Sequence, residues 1–451
     1  MDAPPYALNA DARGSTASRA RVSRNSHEPW NGVVRLKSAD YRWYVLGVST
    51  LTQLTAALAS QGIGVWGTFA QKTFGLSLGQ IGGLATFSNV APILGLALVG
   101  RVLDQYGERW PVVLGLAILS VAMTLVALSS GYGGLVAGML MIGVGYSPVQ
   151  PGGSRAIYHW FPPGERGLAM GIRQAALPLG GALAAALFPA LLIHTDWARA
   201  MLGASAVLAT SAIVYGAVFR NSPRHAQRAS ASARRGLMPH LRDAGFRRIS
   251  VVGVVLVGAQ TAISIFWAIF AQRRFGYSPT DAAWVLFIVQ LSGSVGRIAL
   301  SAISDRVADG KRRLVTLCLG ATPVALITAA SLPAHSAPWV VGAFSTLIGV
   351  CCFGWYGPWV VWLSDSAEDG QVGEVLGAAM AINQIAIASV PAMFGFVSDI
   401  VPAPALPWYC ISGLLGLAFA WTFRASLKAR GASPAGGSTD TGNATKCQPL
   451  R

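Results

Sequence analysis

The chain has 451 residues, of which 53% are hydrophobic and 12% are charged, and its mean hydropathy is positive. This composition excludes a water-soluble globular protein of this size and predicts an integral membrane protein. The formal net charge of +16 does not indicate a nucleic-acid partner, because the arginines lie in short Ser- and Ala-rich connectors, where they favour membrane topology and contact with lipid.

Twelve apolar stretches are long enough to cross a bilayer as helices of roughly 20 residues each. They are continuously apolar rather than alternating, which indicates helices and not barrel strands. In chain order, the first six lie near 43–70, 79–100, 110–130, 133–159, 167–193 and 197–219, and the second six near 248–272, 280–303, 313–332, 337–364, 373–398 and 403–424. The remaining segments are a disordered tail at 1–42, a linker at 220–247 and a second tail at 425–451.

The basic residues predict the orientation of these spans. An even number of spans places both termini on one side, together with the connection at 220–248, which carries eight Arg and one Asp. The loops of the other side hold four basic residues, Lys72, Arg199, Arg273 and Arg274. The positive-inside rule therefore predicts cytoplasmic termini. No cleavable signal peptide is predicted, because the leading segment is polar.

An internal repeat divides the chain into two halves. The stretch FAQKTFGLS at 69–77 recurs as FAQRRFGYS at 270–278, an offset of 201, and later GLAMGIRQ at 167–174 matches GAAMAINQ at 377–384, an offset of 210. Two blocks in the same order indicate a duplicated six-helix unit. The predicted fold is therefore an all-α membrane protein whose twelve transmembrane helices form two pseudo-symmetric six-helix bundles, 43–219 and 248–424, around a central cavity.

The loop after span 2 reads GRVLDQYGERW, and the loop after span 8 reads SAISDRVADGKRR, with Ser301 in place of the first Gly. The first loop resembles the signature of the major facilitator superfamily, a Gly, three residues, an Asp, then a Gly and basic residues. In that family this cytoplasmic loop latches the two bundles. The resemblance implies a gating role for six residues, Gly100, Asp104, Gly107, Arg109, Asp305 and Arg306.

Two arginines within the spans are the main candidates for substrate binding, because ionisable residues are costly in the hydrocarbon region. Arg173 in span 5 and Arg297 in span 8 both lie roughly 10 to 12 Å from the cytoplasmic face at about 1.5 Å per residue. Because each bundle contributes one arginine, the two residues predict a two-part anion site. The context GSVGRIALSAISDR also resembles monocarboxylate and oxalate/formate carriers, which implies carboxylate contact for Arg297. The alternative is that either side chain snorkels or binds helix carbonyls.

Weaker candidates for substrate binding are polar or aromatic residues at matching depths in the spans. They are Asn383, Gln384, Gln174, Asn89 and Gln290, together with Trp355 and Tyr356 beside the Gly357–Pro358 break of span 10. An aromatic wall beside a broken helix favours a substrate with an apolar body. The alternative for each of these residues is packing or hydrogen bonding between helices.

No enzyme, metal or cofactor is predicted, because the five Cys show no ligand spacing and no nucleophile is paired with a base. The predicted function is secondary active transport of a small organic anion, a carboxylate, by a monomer in the lipid of the bacterial inner membrane. Family resemblance favours proton symport, and anion exchange is the alternative mechanism. A drug/proton antiporter is the alternative function, although the Arg of that group's span 4 is matched here by Met139.

Overall fold

The computed structural model describes residues 38–162, 165–222, 242–366 and 372–431, which within these ranges form fifteen helices and twelve spans. The first half contains Ser38–Gln61 and Ile63–Phe74 (span 1), Leu78–Tyr106 (span 2), Arg109–Ala127 (span 3), Tyr132–Tyr146 and Val149–Trp160 (span 4), Arg166–His194 (span 5) and Trp197–Val218 (span 6). The second half contains Ala244–Phe275 (span 7), Pro279–Ser304 (span 8), Gly310–Ser331 (span 9), Pro338–Gly354 and Tyr356–Asp365 (span 10), Val372–Ile400 (span 11) and Leu406–Gly431 (span 12).

The helices make an all-α membrane fold. Among the described residues, ten helical stretches, spans 3 to 12, are long and apolar enough to cross a membrane. Spans 1 and 2 bring the first half to six spans, like the second half. They pack against spans 7 and 11 of that half. The predicted domain boundaries stay a prediction, since most of the linker lies outside the described residues.

Three of the spans are broken, span 1 at Gly62, span 4 at Ser147 and Pro148, and span 10 at Trp355. The break in span 10 lies earlier than the Gly357–Pro358 position expected from the sequence. Pro358 falls in the first turn of the second helix, where its missing N–H leaves no bond unmade. The expected break position was therefore wrong by two to three residues, which is less than one helical turn.

The repeated phrase forms the turns that follow spans 1 and 7. Ser77 caps span 2 through a capping box with Gln80, and Ser278 caps span 8 by accepting from the Asp281 N–H. The preceding glycines have left-handed backbones, with φ of 65° at Gly75 and 71° at Gly276. This conformation favours glycine at a helix C-terminus, so the repeat conserves a complete stop-and-start signal.

The two bundles, spans 1–6 and spans 7–12, meet mainly through spans 2 and 11, 5 and 8, and 1 and 7. We call the face that carries Ser38 and Gly431 the terminal face, and the opposite face, which carries Ser77 and Ser278, the far face. Backbones approach closely at the boundary. A Cβ at Gly82 would lie 2.1 Å from the Pro391 carbonyl oxygen, and one at Gly64 would lie 1.8 Å from that of Ser264. Glycine permits this helix contact without a side chain in between.

Candidate functional site

Arg173 is fully buried in the first bundle, with 0% of its surface exposed. Its guanidinium donates to Ser154 Oγ at 2.9 Å, Gln53 Oε1 at 3.0 Å, and the carbonyls of Val149 at 3.1 Å and Gln150 at 2.8 Å. Its Nε has no partner among the described residues. The break in span 4 explains these acceptors, because the carbonyls belong to the first turn of its second helix.

Arg297 is the corresponding group of the second bundle and is 4% exposed. It donates to the Phe353 carbonyl at 3.1 Å and to Gln260 Oε1 at 3.5 Å, and its guanidinium carbon lies 5.1 Å from the centre of the Tyr356 ring. A further bond, of 3.0 Å, runs from Nη1 to the Gln174 carbonyl of the first bundle. Arg297 therefore joins the two bundles directly.

Two tyrosines lie between the two arginines. Tyr146 ends the first helix of span 4, and its hydroxyl accepts from Gln53 Nε2 at 2.7 Å. Tyr356 begins the second helix of span 10. Both phenols lie within electrostatic range of both guanidinium groups, and both side chains retain partial exposure. The arginines and tyrosines thus form one cluster across the boundary between the bundles.

The charge of this cluster is unbalanced. Among the described residues, neither arginine forms a salt bridge, and the charged or titratable groups within electrostatic range of either one are tyrosines. A buried charge costs several kcal/mol unless it is paired. Backbone carbonyls and amide oxygens satisfy part of the hydrogen-bonding capacity of the two groups, but they do not neutralise their charge.

The amide candidates divide into buried and accessible residues. Asn383 and Gln290 are buried, each with a side-chain oxygen that has no partner among the described residues. Gln384 and Asn89 are partly accessible and bond to each other across the bundles at 3.2 Å. Gln174 is partly accessible and contributes its carbonyl to Arg297. The structure therefore brings Gln174, but not Asn383, into contact with an arginine of the cluster.

Trp355 does not line accessible space in this conformation. It is fully buried, and its indole N–H donates to the Cys352 carbonyl at 2.8 Å. The ring lies edge-on to Tyr356 and to Trp359 at 5.5 Å. Trp355 thus supports the exposed ring of Tyr356 from behind, which is the packing alternative for this residue.

The residues predicted to gate the terminal face are separate from one another. Arg109 donates to the Gly216 carbonyl of its own bundle and stacks on Trp110, and Gly107 (φ 74°) closes span 2. Asp305 and Arg306 are exposed, and among the described residues neither side chain makes a hydrogen bond or ion pair. The side chains at Gly100 and Asp104 lie outside the described residues. Among the described side chains, these contacts do not join the two bundles on this face, and the predicted gating role stays a prediction.

A carboxylate joins the bundles on the far face instead. Asp399, at the end of span 11, accepts from the Leu78 N–H at 2.9 Å and from the Gly79 N–H at 2.6 Å. These groups belong to the first turn of span 2, where helix N–H groups lack partners and the helix dipole favours an anion. Asp399 also borders an aromatic cavity of about 280 Å³ that contains neither buried arginine.

The contacts between spans 2 and 11 continue inward from Asp399. Thr86 donates to the Ala388 carbonyl at 2.6 Å, and the Asn89–Gln384 pair follows one turn later. Among the described residues, no hydrogen bond joins these two spans closer to the terminal face. The conformation is therefore closed on the far face.

The sequence profile of the Major Facilitator Superfamily matches residues 50–391. The chain belongs to this superfamily. An uncharacterized transporter of the superfamily from Mycobacterium tuberculosis is 30% identical over 285 residues, which is 62% of this chain and 63% of the relative. A probable sulfoacetate transporter of Cupriavidus necator is 26% identical over 208 residues, which is 46% of each chain. A hexuronate transporter of Escherichia coli is 23% identical over 256 residues, which is 56% of this chain and 58% of the relative. The chain thus spans less than two thirds of each of these relatives.

Solved structures show the same superfamily fold. A bacterial homologue of the human lysosomal transporter Spinster superposes with a TM-score of 0.68 at 17% identity, covering 86% of this chain and 97% of that one. A mutant of the nucleoside transporter NupG also gives a TM-score of 0.68, at 15% identity, covering 84% and 99%. At these identities the likeness concerns the fold alone.

Four residues of the candidate site were not predicted from the sequence. Tyr146, Gln53, Gln260 and Ser154 contact the arginines or lie between them. The repeat carried a signal for one of them, because Tyr146 matches Tyr356 at the same offset of 210 that relates Pro148 to Pro358. Gln53 and Gln260 are not related by the repeat, so symmetry could not find them.

Proposed function

We propose that this chain is a secondary transporter that moves a small organic anion, a carboxylate, across the inner membrane by alternating access, coupled to protons. The observation that carries the proposal is the unbalanced charge of Arg173 and Arg297, which are buried, one in each bundle, without a carboxylate partner among the described residues. An anion between the bundles supplies the missing charge, and guanidinium groups bind carboxylates in a forked geometry.

The arrangement of the arginines links anion binding to movement of the bundles. Arg297 already reaches across the boundary to the Gln174 carbonyl, so a stronger acceptor at this place competes for the same donor. The partly exposed hydroxyls of Tyr146 and Tyr356 offer neutral donors beside the two charges. An anion held from both sides draws the bundles together at this level, whereas an empty site leaves two like charges facing each other.

The relatives support this substrate class. The Cupriavidus protein is named for sulfoacetate and the Escherichia protein for hexuronate, and both compounds are organic anions. Hexuronate, a carboxylate with a polar body, suits a cluster of two arginines and two phenols. This likeness extends to the class of substrate and not to one compound.

We further propose that the terminal face is cytoplasmic and that the transporter works as a monomer. The connection at 220–248 carries eight Arg against one Asp, whereas the far-face loops hold four basic residues, which is the asymmetry of the positive-inside rule. With this orientation, the Asp399 contacts close the outer side, while Asp305 and Arg306 are apart from the first bundle, as in a state that opens to the cytoplasm.

Uptake of labelled hexuronate and sulfoacetate into proteoliposomes tests the proposal, with an uncharged hexose as the reference. Arg297→Gln removes a forked contact of two charge-assisted hydrogen bonds, about 3 kcal/mol in all, which weakens binding about 150-fold. Arg274→Gln is the matched control, since Arg274 donates to the Leu332 carbonyl in the far-face region. An inward proton gradient accelerates uptake in symport, whereas exchange requires internal anion.

Two results would overturn the proposal. The first is a saturation curve for Arg297→Gln that equals that of the unmodified protein, when both proteins unfold at the same temperature. The second is uptake of the neutral hexose in preference to both anions.

A further inference from the structure

A second group of ionisable side chains lies at the terminal face of the first bundle. Glu108, which directly precedes the span 3 helix, has a side chain that is 1% exposed, and its Oε1 lies 2.9 Å from His159 Nδ1 and 3.6 Å from Arg155 Nε, both in span 4. The His159 side chain is 13% exposed. A buried carboxylate therefore sits between one permanent cation and one imidazole that contacts solvent.

The fold connects this group to Arg173. Tyr215 of span 6 is buried, and both Glu108 and Arg173 lie within electrostatic range of its hydroxyl. The carboxylate and the guanidinium thus share a neighbour inside one bundle. Charges in such a weakly polar interior interact over longer distances than they do in water, so Tyr215, which interacts with both groups, links the charge of Glu108 to Arg173.

The second half of the chain has an ion pair at the equivalent place with the signs exchanged. Arg155 matches Asp365 at the offset of 210, and Asp365 Oδ2 lies 2.9 Å from Lys311 Nζ. This pair is exposed, 57% for Asp365 and 33% for Lys311, and the position that matches His159 is Asp369. Within the described residues, the pair of the first half is buried and has an imidazole beside it, and the Lys311–Asp365 pair does not share these features.

The groups that face Glu108 come from several elements. Span 4 contributes Arg155 and His159, and span 6 contributes Tyr215. On its own helix, Arg109 follows and donates to the Gly216 carbonyl. Tyr41 of span 1 lies within electrostatic range of Tyr215, and Arg220 after span 6 lies within range of Tyr41. Asp104, the other carboxylate near this end of span 2, has a side chain outside the described residues.

We propose that the Glu108–His159 pair is a proton-binding site whose occupation strengthens anion binding at Arg173. The inference rests on the proposed anion transport and names the group that carries the proton. One proton passes from water at the terminal face to the pair, no other bond forms or breaks, and the net charge of the pair rises by one. Imidazole is the side chain that ordinarily exchanges a proton near neutral pH.

The coupling between the two sites is reciprocal. Added positive charge near Arg173 favours a bound anion, and a bound anion favours the added proton by the same factor. We therefore expect hexuronate to bind at least about fivefold more tightly at pH near 5.5 than at pH near 8. Proton and anion then move together, which is the requirement for symport.

Two variants separate the proton-bound and proton-free charges of the pair. Glu108→Gln fixes the charge near that of the protonated pair, so hexuronate affinity stays at its low-pH value throughout. His159→Gln fixes the proton-free charge, so affinity stays at its high-pH value. Asp365→Asn, which removes the exposed counterpart, keeps the pH dependence of the unmodified protein. If the ion pair is purely structural, each substitution changes the hexuronate affinity by the same factor at every pH, and the pH dependence of the affinity keeps its shape.

The unfolding temperature as a function of pH, measured without any anion, provides an independent reading of the proton site. Its pH dependence falls in Glu108→Gln and persists in Asp365→Asn if the inference holds, even if no carboxylate binds and the proposed function fails. Hexuronate binding whose pH dependence is the same in Glu108→Gln as in the unmodified protein overturns the inference and leaves the anion site standing. An unfolding profile that is unchanged by Glu108→Gln overturns it as well.

Discussion

Alanine in place of Gly82 is expected to force the two bundles apart on the far face. The added Cβ would lie 2.1 Å from the Pro391 carbonyl oxygen, whereas ordinary contact begins at 3.4 Å, so spans 2 and 11 must separate by more than 1 Å. The opposing atom is backbone and cannot rotate away. Overpacking of this kind costs about 1 to 3 kcal/mol, which shifts the population away from the far-closed conformation by about 5- to 150-fold.

Distances between spin labels measure this shift. Labels at Arg199, in the first turn of span 6, and at His335, in the loop before span 10, both exposed on the far face, should gain a longer component in Gly82→Ala. Labels at Tyr106 and Arg306 on the terminal face should gain a shorter one, since the bundles rock about the site between them. Opposite changes on the two faces distinguish rocking from general loosening.

A matched control and a second variant sharpen the test. Gly133→Ala, at the far-face end of span 4, adds a Cβ with no atom within 4 Å and should leave both distances unchanged. Gly64→Ala, which meets the Ser264 carbonyl oxygen at 1.8 Å, should act like Gly82→Ala. Distances in Gly82→Ala that equal those of the unmodified protein on both faces would refute the reasoning.

Two further predictions concern the far-face contact and the tyrosines. Asp399→Ala removes two hydrogen bonds to the N-terminus of span 2. Because Asp399 is exposed, the loss is about 1 kcal/mol, which the far-face spin labels should report as a population shift of about fivefold. Unchanged distances between these labels contradict the prediction. Tyr146→Phe leaves Gln53 Nε2 without its phenol acceptor, and we expect hexuronate affinity in a direct binding assay to fall about 2- to 10-fold; equal affinity in both Tyr146→Phe and Tyr356→Phe rules the hydroxyls out.

The sequence predicted the fold well because its signals are local and strong. Continuous apolar runs mark the spans, and the phrase ending in Ser77 or Ser278 contains a helix stop, a turn and a cap within nine residues. The breaks in three spans were harder to place. A helix can be interrupted wherever neighbouring helices satisfy the freed backbone groups, and that condition depends on packing rather than on the residues at the break.

The candidate site was likewise predictable in part, since its charged residues have a local signal in the sequence and their partners do not. Hydropathy singled out Arg173 and Arg297, because a charge in an apolar run is unmistakable. Their partners were not predictable, since most of the acceptors are backbone carbonyls, such as those of Val149 and Phe353, and every residue has one. Asp399 carried no signal of its own in the sequence, because its role as a cap for span 2 of the other bundle depends on the tertiary arrangement.

The bond from Arg297 to the Gln174 carbonyl indicates how occupation of the site and movement of the bundles are coupled. This bond crosses the boundary at 3.0 Å, so any motion that separates spans 5 and 8 must break it. The guanidinium is buried, and leaving its charge with fewer partners costs more than the bond itself contributes. An anion that accepts from Arg297 as the carbonyl is withdrawn removes this penalty. In the proposed mechanism the same anion also binds Arg173, so it replaces the carbonyl as the link between the bundles and holds them together at this level, which the empty site does not do.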